Sequence, residues 1–244
     1  MTNKIKLTVF WLARAVGLFA LSRAITDKKI RILCYHGGCL GDESRYNPKL
    51  FCSATMLAQR MHWLQAKGFD IVPLSVAASR MRQSPHQRTA LTTAITFDDG
   101  WYSTASELVP VLGKLSIAST LYLCTSHYRE GWAVPTVSVR YLIWKCGLQT
   151  AQLRGFGAEL DGELDLSTPR MRDAAAESIV AAIERAPAER THRHALLEKL
   201  ASCLQVPSDV LALDSRRFDY VSQEELLAVA RQGCSVELHG DVHH

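Results

Sequence analysis

Two aspartates stand side by side in the stretch "TTAITFDDGW", where an apolar run ends. Adjacent carboxylates repel one another, and an enclosed pair is costly unless something neutralises it. Asp-Asp-Gly is ordinary turn chemistry, so one reading of Asp98 and Asp99 is a turn. The other reading is a bound cation beside a proton-handling group, and it needs matching ligands elsewhere in the chain. "LHGDVH" supplies them: His239 and His243 stand in a His-x-x-x-His spacing directly after another expected strand. Imidazoles are good ligands for zinc and similar divalent ions. Two histidines and one carboxylate leave open coordination positions, as a hydrolytic metal centre requires. The second aspartate then stays free as a base, which accounts for the pair. Each signal alone is weak, because such a turn and a solvated histidine tail are both common. Together, each at the end of an expected strand, they are much stronger.

The elements that must position these residues follow from periodicity. Short apolar, β-branched runs predict strands at 30–35, 69–72, 92–97, 119–124 and 234–238. Helices are expected over 53–68, capped by Ser53 and stopped by Gly68, and over "SVAASRM". Another is expected over 103–115, kinked or shortened by Pro110, and one over 221–233, where Ser222 and Glu225 form a capping box. Residues 126–217 are rich in Ala, Arg, Glu and Leu. They read as a helical insertion with two helices, one from Thr168–Pro169 and one near 188–204. Strands alternating with helices predict a parallel α/β sheet or barrel, with its site at the C-terminal strand ends. Asp98, Asp99 and His239 fall at such ends, as do Tyr35 and His36.

The composition is that of a folded chain: 48% of 244 residues are hydrophobic. Residues 1–31 carry a net +6 against +4 for the whole chain, which leaves −2 for the rest. The basic character belongs to an N-terminal arm, so no nucleic-acid partner is expected. Seven scattered cysteines, an odd number without C-x-x-C, read as small core hydrophobes in a reducing compartment. "LTVFWLARAVGLFAL" is short for a membrane span and is interrupted by Arg14. Residues 1–28 are expected to form a basic apolar helix. It lies on the inner face of a cytoplasmic membrane or packs on the protein body, with export by an uncleaved or weak signal as the alternative.

With "ITFDDGW", "LHGDVH" and the connecting "VSQEELLAVARQGCSVELHG", the chain resembles the polysaccharide deacetylase family, carbohydrate esterase family four, with its nodulation-type deacetylase domain. "ILCYHG", a helix and "GFDIVPLSV" resemble the N-terminal part of bacterial members. The resemblance covers about residues 30–125 and 216–244. It implies a distorted (β/α) barrel that removes acetyl groups from N-acetylated sugars in a polysaccharide or glycan precursor. It assigns Asp98 as catalytic base and Asp99, His239 and His243 as ligands of one divalent ion. That ion is zinc by ligand type, with cobalt or nickel as alternatives. His244 lies one place beyond the pattern.

The family's general acid, an arginine motif and an aromatic groove wall are expected downstream, and five strands do not close a barrel. The expected fold is therefore an incomplete distorted (β/α) barrel of the glycoside hydrolase/deacetylase type over residues 29–244, truncated at its C-terminus. In this reading the 244-residue chain lacks the acid that amine expulsion needs and is not a competent deacetylase. His36 is a candidate to assist substrate binding or supply that proton, or it is a structural histidine hydrogen-bonded near the surface. Trp101 and Tyr102 are candidates to stack on a sugar ring, or they pack a helix. The alternative function is an inactive module that binds metal or glycan only.

Overall fold

The computed structural model of the chain describes residues 3–125, 128, 133–187 and 189–241. In chain order its strands are β1 (Arg31–Tyr35), β2 (Gly37–Gly38), β3 (Phe51–Cys52), β4 (Asp70–Ile71), β5 (Thr92–Phe97), β6 (Ser119–Leu123), β7 (Thr150–Leu153), β8 (Gly162–Asp165) and β9 (Cys234–Leu238). Helices α1 (Asn3–Ala15), α2 (Leu18–Ile25), α3 (Glu43–Tyr46), α4 (Ala54–Ala66), α5 (Leu74–Met81) and α6 (Val109–Lys114) lie in the first half. In the second half come α7 (Pro135–Lys145), α8 (Pro169–Arg185), α9 (Arg190–Cys203) and α10 (Gln223–Arg231).

The centre is a sheet in the order β1-β5-β6-β9, with β4 beside the first residues of β5. Every pairing in it is parallel. This is the α/β arrangement that the alternating pattern predicts, and the five expected strand positions are all occupied. Side chains alternate between the faces of a strand. Ile95 and Phe97 of β5 and Leu121 and Leu123 of β6 therefore enter one core with Leu57 and Met61 of α4 and Leu112 of α6. Burying each such side chain is worth about 1.5–3 kcal/mol. Local signals fix the covering helices. Ser53 Oγ accepts from Met56 N at 3.2 Å to start α4. Ser222 and Glu225 exchange both bonds of the capping box that starts α10. Pro110 sits in the first turn of α6, and the residues before it, Thr104–Leu108, form a π-helical turn rather than more α-helix.

The opposite face carries the other half of each strand. Cys34 is in register with Thr96, Thr96 with Thr120, and Thr120 with Ser235. Extending that row along the strands puts His36, Asp98 and His239 on the same face, at its C-terminal rim.

The segment expected to be purely helical differs. α7 and the antiparallel hairpin β7–β8 precede α8 and α9 and pack with them into a second core that includes Leu142, Leu153, Ile179 and Leu200. The hairpin is short, with mostly exposed side chains, and α7 is buried on nearly every side, so neither shows a clear period. At the N-terminus the apolar stretch forms two helices, because Gly17 adopts a left-handed φ of 76° between them. No residue of α2 is buried. Phe10, Trp11, Leu18 and Phe19 are about half exposed or more, so this arm is not packed into the body.

Candidate metal centre at the strand ends

Asp98 is held by its own backbone: its N–H donates to Tyr35 O at 2.9 Å, across the β1–β5 pair. Asp99 follows in the left-handed region, with φ 73°. A non-glycine residue there costs on the order of 1 kcal/mol or more, and such outliers gather at functional sites. Gly100 continues the turn at φ 84°, and a Cβ on it would stand 2.4 Å from Leu123 Cδ1 of β6. The glycine therefore serves both the backbone angle and the close approach of β5 to β6. The turn turns the Asp99 side chain inward, where the residue is 6% exposed. Trp101 Nε1 donates to Asp99 Oδ2 at 3.2 Å.

His239 reaches the same place from β9. Its N–H donates to Leu123 O at 2.9 Å, continuing the β6–β9 ladder. Its Nε2 lies 3.6 Å from Asp99 Oδ1 and 3.9 Å from Asp98 Oδ2. The loop beyond is tied back to β6 by Thr125, whose hydroxyl donates to Asp241 Oδ1 at 2.7 Å. Two sequence segments far apart in the chain thus converge within a few ångströms. His243 and His244 lie outside the described residues.

From β1, His36 Nε2 stands 3.9 Å from Asp98 Oδ2. Cys34 Sγ stands closer, 3.0 Å from the same oxygen. Cys34 was expected to be a core hydrophobe, but it is exposed on the site face. Strand alternation is the reason: Leu33 and Tyr35 pack toward the helices, and Cys34 and His36 point the other way. The signal that reveals it is the i, i+2 spacing of Cys34 and His36 in a strand beside Asp98. Desolvation around the sulfur, helped by the hydrogen bond and charge of Asp98, pushes this thiol up to about 12. Cys124 is fully buried at the end of β6, and burial pushes it up to about 11, as befits a core thiol.

Trp101 is not available for stacking on a sugar. It is 2% exposed and packs edge-on against Phe51, with ring centroids 5.1 Å apart. Its part at this site is the bond to Asp99. Tyr102 is half-buried, and the Arg216 guanidinium lies over its ring at 4.3 Å, which occupies one aromatic face. The donors gathered here are two carboxylates, two imidazoles and a thiol, a set that fits a divalent ion of zinc's class.

No family model matches the chain, and no curated protein matches it. Solved structures do. A de-N-acetylase from Aggregatibacter actinomycetemcomitans is 20% identical with a TM-score of 0.34, over 41% of this chain and 39% of that one. The Streptococcus pyogenes deacetylase PplD, solved with acetate, is 22% identical with a TM-score of 0.34, over 42% and 45%. IcaB from Ammonifex degensii is 18% identical with a TM-score of 0.35, over 78% and 81%. The chain thus spans less than half the length of the first two.

Proposed function

We propose that the protein is a metal-dependent hydrolase that removes N-acetyl groups from N-acetylated sugars of a polysaccharide or glycan precursor, and that its parallel sheet is part of a (β/α) barrel wall. The observation that carries this reading is the convergence of His239 on Asp98 and Asp99, at 3.9 and 3.6 Å, from a separate strand end. Asp99 and His239, with His243, would hold the ion, zinc by ligand type. A divalent ion bound there supplies Lewis acidity, polarising the acetamide carbonyl and acidifying water. Asp98 is the base. Its side chain is 22% exposed, open enough to reach a water molecule and take its proton. His36, at the same rim, is suited to orient the sugar and to return a proton to the leaving amine. Trp101 positions Asp99 through its N–H.

The test is acetate release from an N-acetylglucosamine oligomer by the full gene product. Turnover should disappear on chelation and return with zinc, and Asp99→Ala should abolish both turnover and stoichiometric zinc uptake. Turnover that survives chelation and Asp99→Ala would remove the metal from the reading. Zinc uptake without acetate release from any N-acetylated sugar would leave a binding module.

We also propose that residues 1–28 hold the protein at the inner surface of the cytoplasmic membrane. The support is an arm whose apolar side chains are exposed beside Lys6, Arg14, Arg23 and Lys28. Among the described residues no single helix is long and apolar enough to cross a membrane, and the two that qualify together are bent by 73°. High salt should release the protein from anionic vesicles. Recovery of an exported form lacking these residues would overturn the assignment.

A further inference from the structure

A second set of donors occupies the β1 side of the same rim. Cys34 Sγ, a ring nitrogen of His36 and a carboxylate oxygen of Asp98 all lie within 4.8 Å of one another. Two of the separations are 3.0 Å, sulfur to Asp98 Oδ2, and 3.9 Å, His36 Nε2 to the same oxygen. Zinc–ligand bonds of about 2.0–2.3 Å set tetrahedral donors about 3.3–3.8 Å apart, so these spacings bracket what an ion requires. The donors also stand on fixed supports. Cys34 lies within β1 and pairs with Thr96 of β5. His36 follows two residues on, and Asp98 is pinned through its backbone to Tyr35. His239 approaches Asp98 Oδ2 from β9, on the other side of β5, at 3.9 Å. Asp98 therefore stands between two donor sets rather than inside one.

We propose that Cys34, His36 and Asp98 form a second, sulfur-containing divalent metal site beside the one assigned to Asp99 and His239. A sulfur, an imidazole and a carboxylate together favour zinc or cobalt over magnesium or calcium. On binding, the Cys34 S–H bond is exchanged for a sulfur–metal bond and the proton passes to buffer; nothing is oxidised. The consequence for turnover rests on the proposed role of Asp98. An ion in this site occupies the lone pair that would accept the proton of water, and it occupies His36 as well. Occupancy is therefore inhibitory, and zinc in excess of the first equivalent shuts the site down.

The experiment is a titration of the metal-stripped full-length protein with cobalt(II) alone, read by absorbance and by bound metal. A near-ultraviolet sulfur-to-cobalt charge-transfer band should grow in. Cys34→Ser should abolish the band and weaken uptake of a second equivalent by about 10–100-fold, while the first equivalent remains. His36→Gln should weaken that uptake but keep the band at saturation. Asp99→Ala should lose the other equivalent and also keep the band. A wild-type protein without the band, or a band that persists in Cys34→Ser, overturns the site. A band that vanishes in Asp99→Ala overturns it too, since Cys34 then belongs to a single shared centre. The band reports Cys34 whatever the acetate assay shows, so the two readings fail separately.

Discussion

Two of the chain's pairs of adjacent acids, Asp42–Glu43 and Asp98–Asp99, are treated differently. Asp42 accepts from Lys145 Nζ at 2.6 Å, Arg217 Nη2 at 2.6 Å and the Tyr141 hydroxyl at 2.7 Å. Glu43 is fully buried and accepts from Arg217 Nε at 2.5 Å and from Gly41 N at 2.8 Å. That pair is neutralised by cations of the chain itself, and it ties the loop after β2 to the stretch after α9. The partners seen at Asp98 and Asp99 are imidazoles, a thiol and an indole N–H. All but the indole are groups of the types that ligate metals. Adjacency of carboxylates therefore says little; the partners decide whether a pair is a brace or a site.

Exchanging the roles should fail in opposite ways. Asp98→Asn should lower acetate release about 10²–10⁴-fold while leaving the urea midpoint unchanged or raised. Arg217→Ala should do the reverse, costing about 3–5 kcal/mol in urea unfolding, because Glu43 is left buried without its cation. Its turnover per folded molecule should hold. If Asp98→Asn destabilises as much as Arg217→Ala, both pairs are braces and the distinction collapses. Trp101→Phe keeps the ring and removes the N–H that holds Asp99. Zinc affinity should fall about 10–100-fold, and an unchanged affinity would show that the indole only fills space.

The smallest effect is a pH dependence of stability. Burial opposes ionisation of Asp42, but hydrogen bonds from Lys145, Tyr141 and Arg217 outweigh it and hold the carboxyl well below the usual carboxylate range. A depressed folded pKa means stability that is fully present above the unfolded value of about 3.9 and lost as pH falls through the folded value. The urea midpoint should drop on acidification below about pH 4, and Lys145→Met should flatten that drop.

What the sequence discloses follows from where the signal is local. The strand ends at Asp98 and His239 are legible because β5 is a β-branched run and β9 a short run directly after a glycine-ended helix, each followed at once by polar turn residues. The Ser53, Thr168 and Ser222 caps are legible because a cap is a contact over three residues. Helix α7 is hidden because "PTVSVRYLIWK" is rich in β-branched residues and loses its period by being buried on most sides. Its one local cue is Pro135 at the first helical position. Cys34 is hidden for a related reason: "RILCY" reads as one apolar run, and only pairing with β5 shows that the strand has a core side and a site side. Trp101 follows the aspartates so closely that it invites a role in gripping substrate. Its burial depends on Phe51 and on the bridge to Tyr220, both remote in sequence.

The order β1-β5-β6-β9 also bears on how the molecule assembles. β6 acquires its second neighbour only after the intervening helices and the β7–β8 hairpin have been made. That segment supplies most of the second core, which it shares with Phe51 and Trp101, and can collapse early, while the outer edge of β6 waits unpaired. During that wait the edge is open to pairing with other chains, which is where a folding intermediate would aggregate. Docking of β9 closes the edge and in the same event delivers His239 to Asp99. An ion held between them, as proposed for this site, would bind only chains that have completed this step. Supplying metal during refolding should therefore raise the yield by drawing the last equilibrium forward.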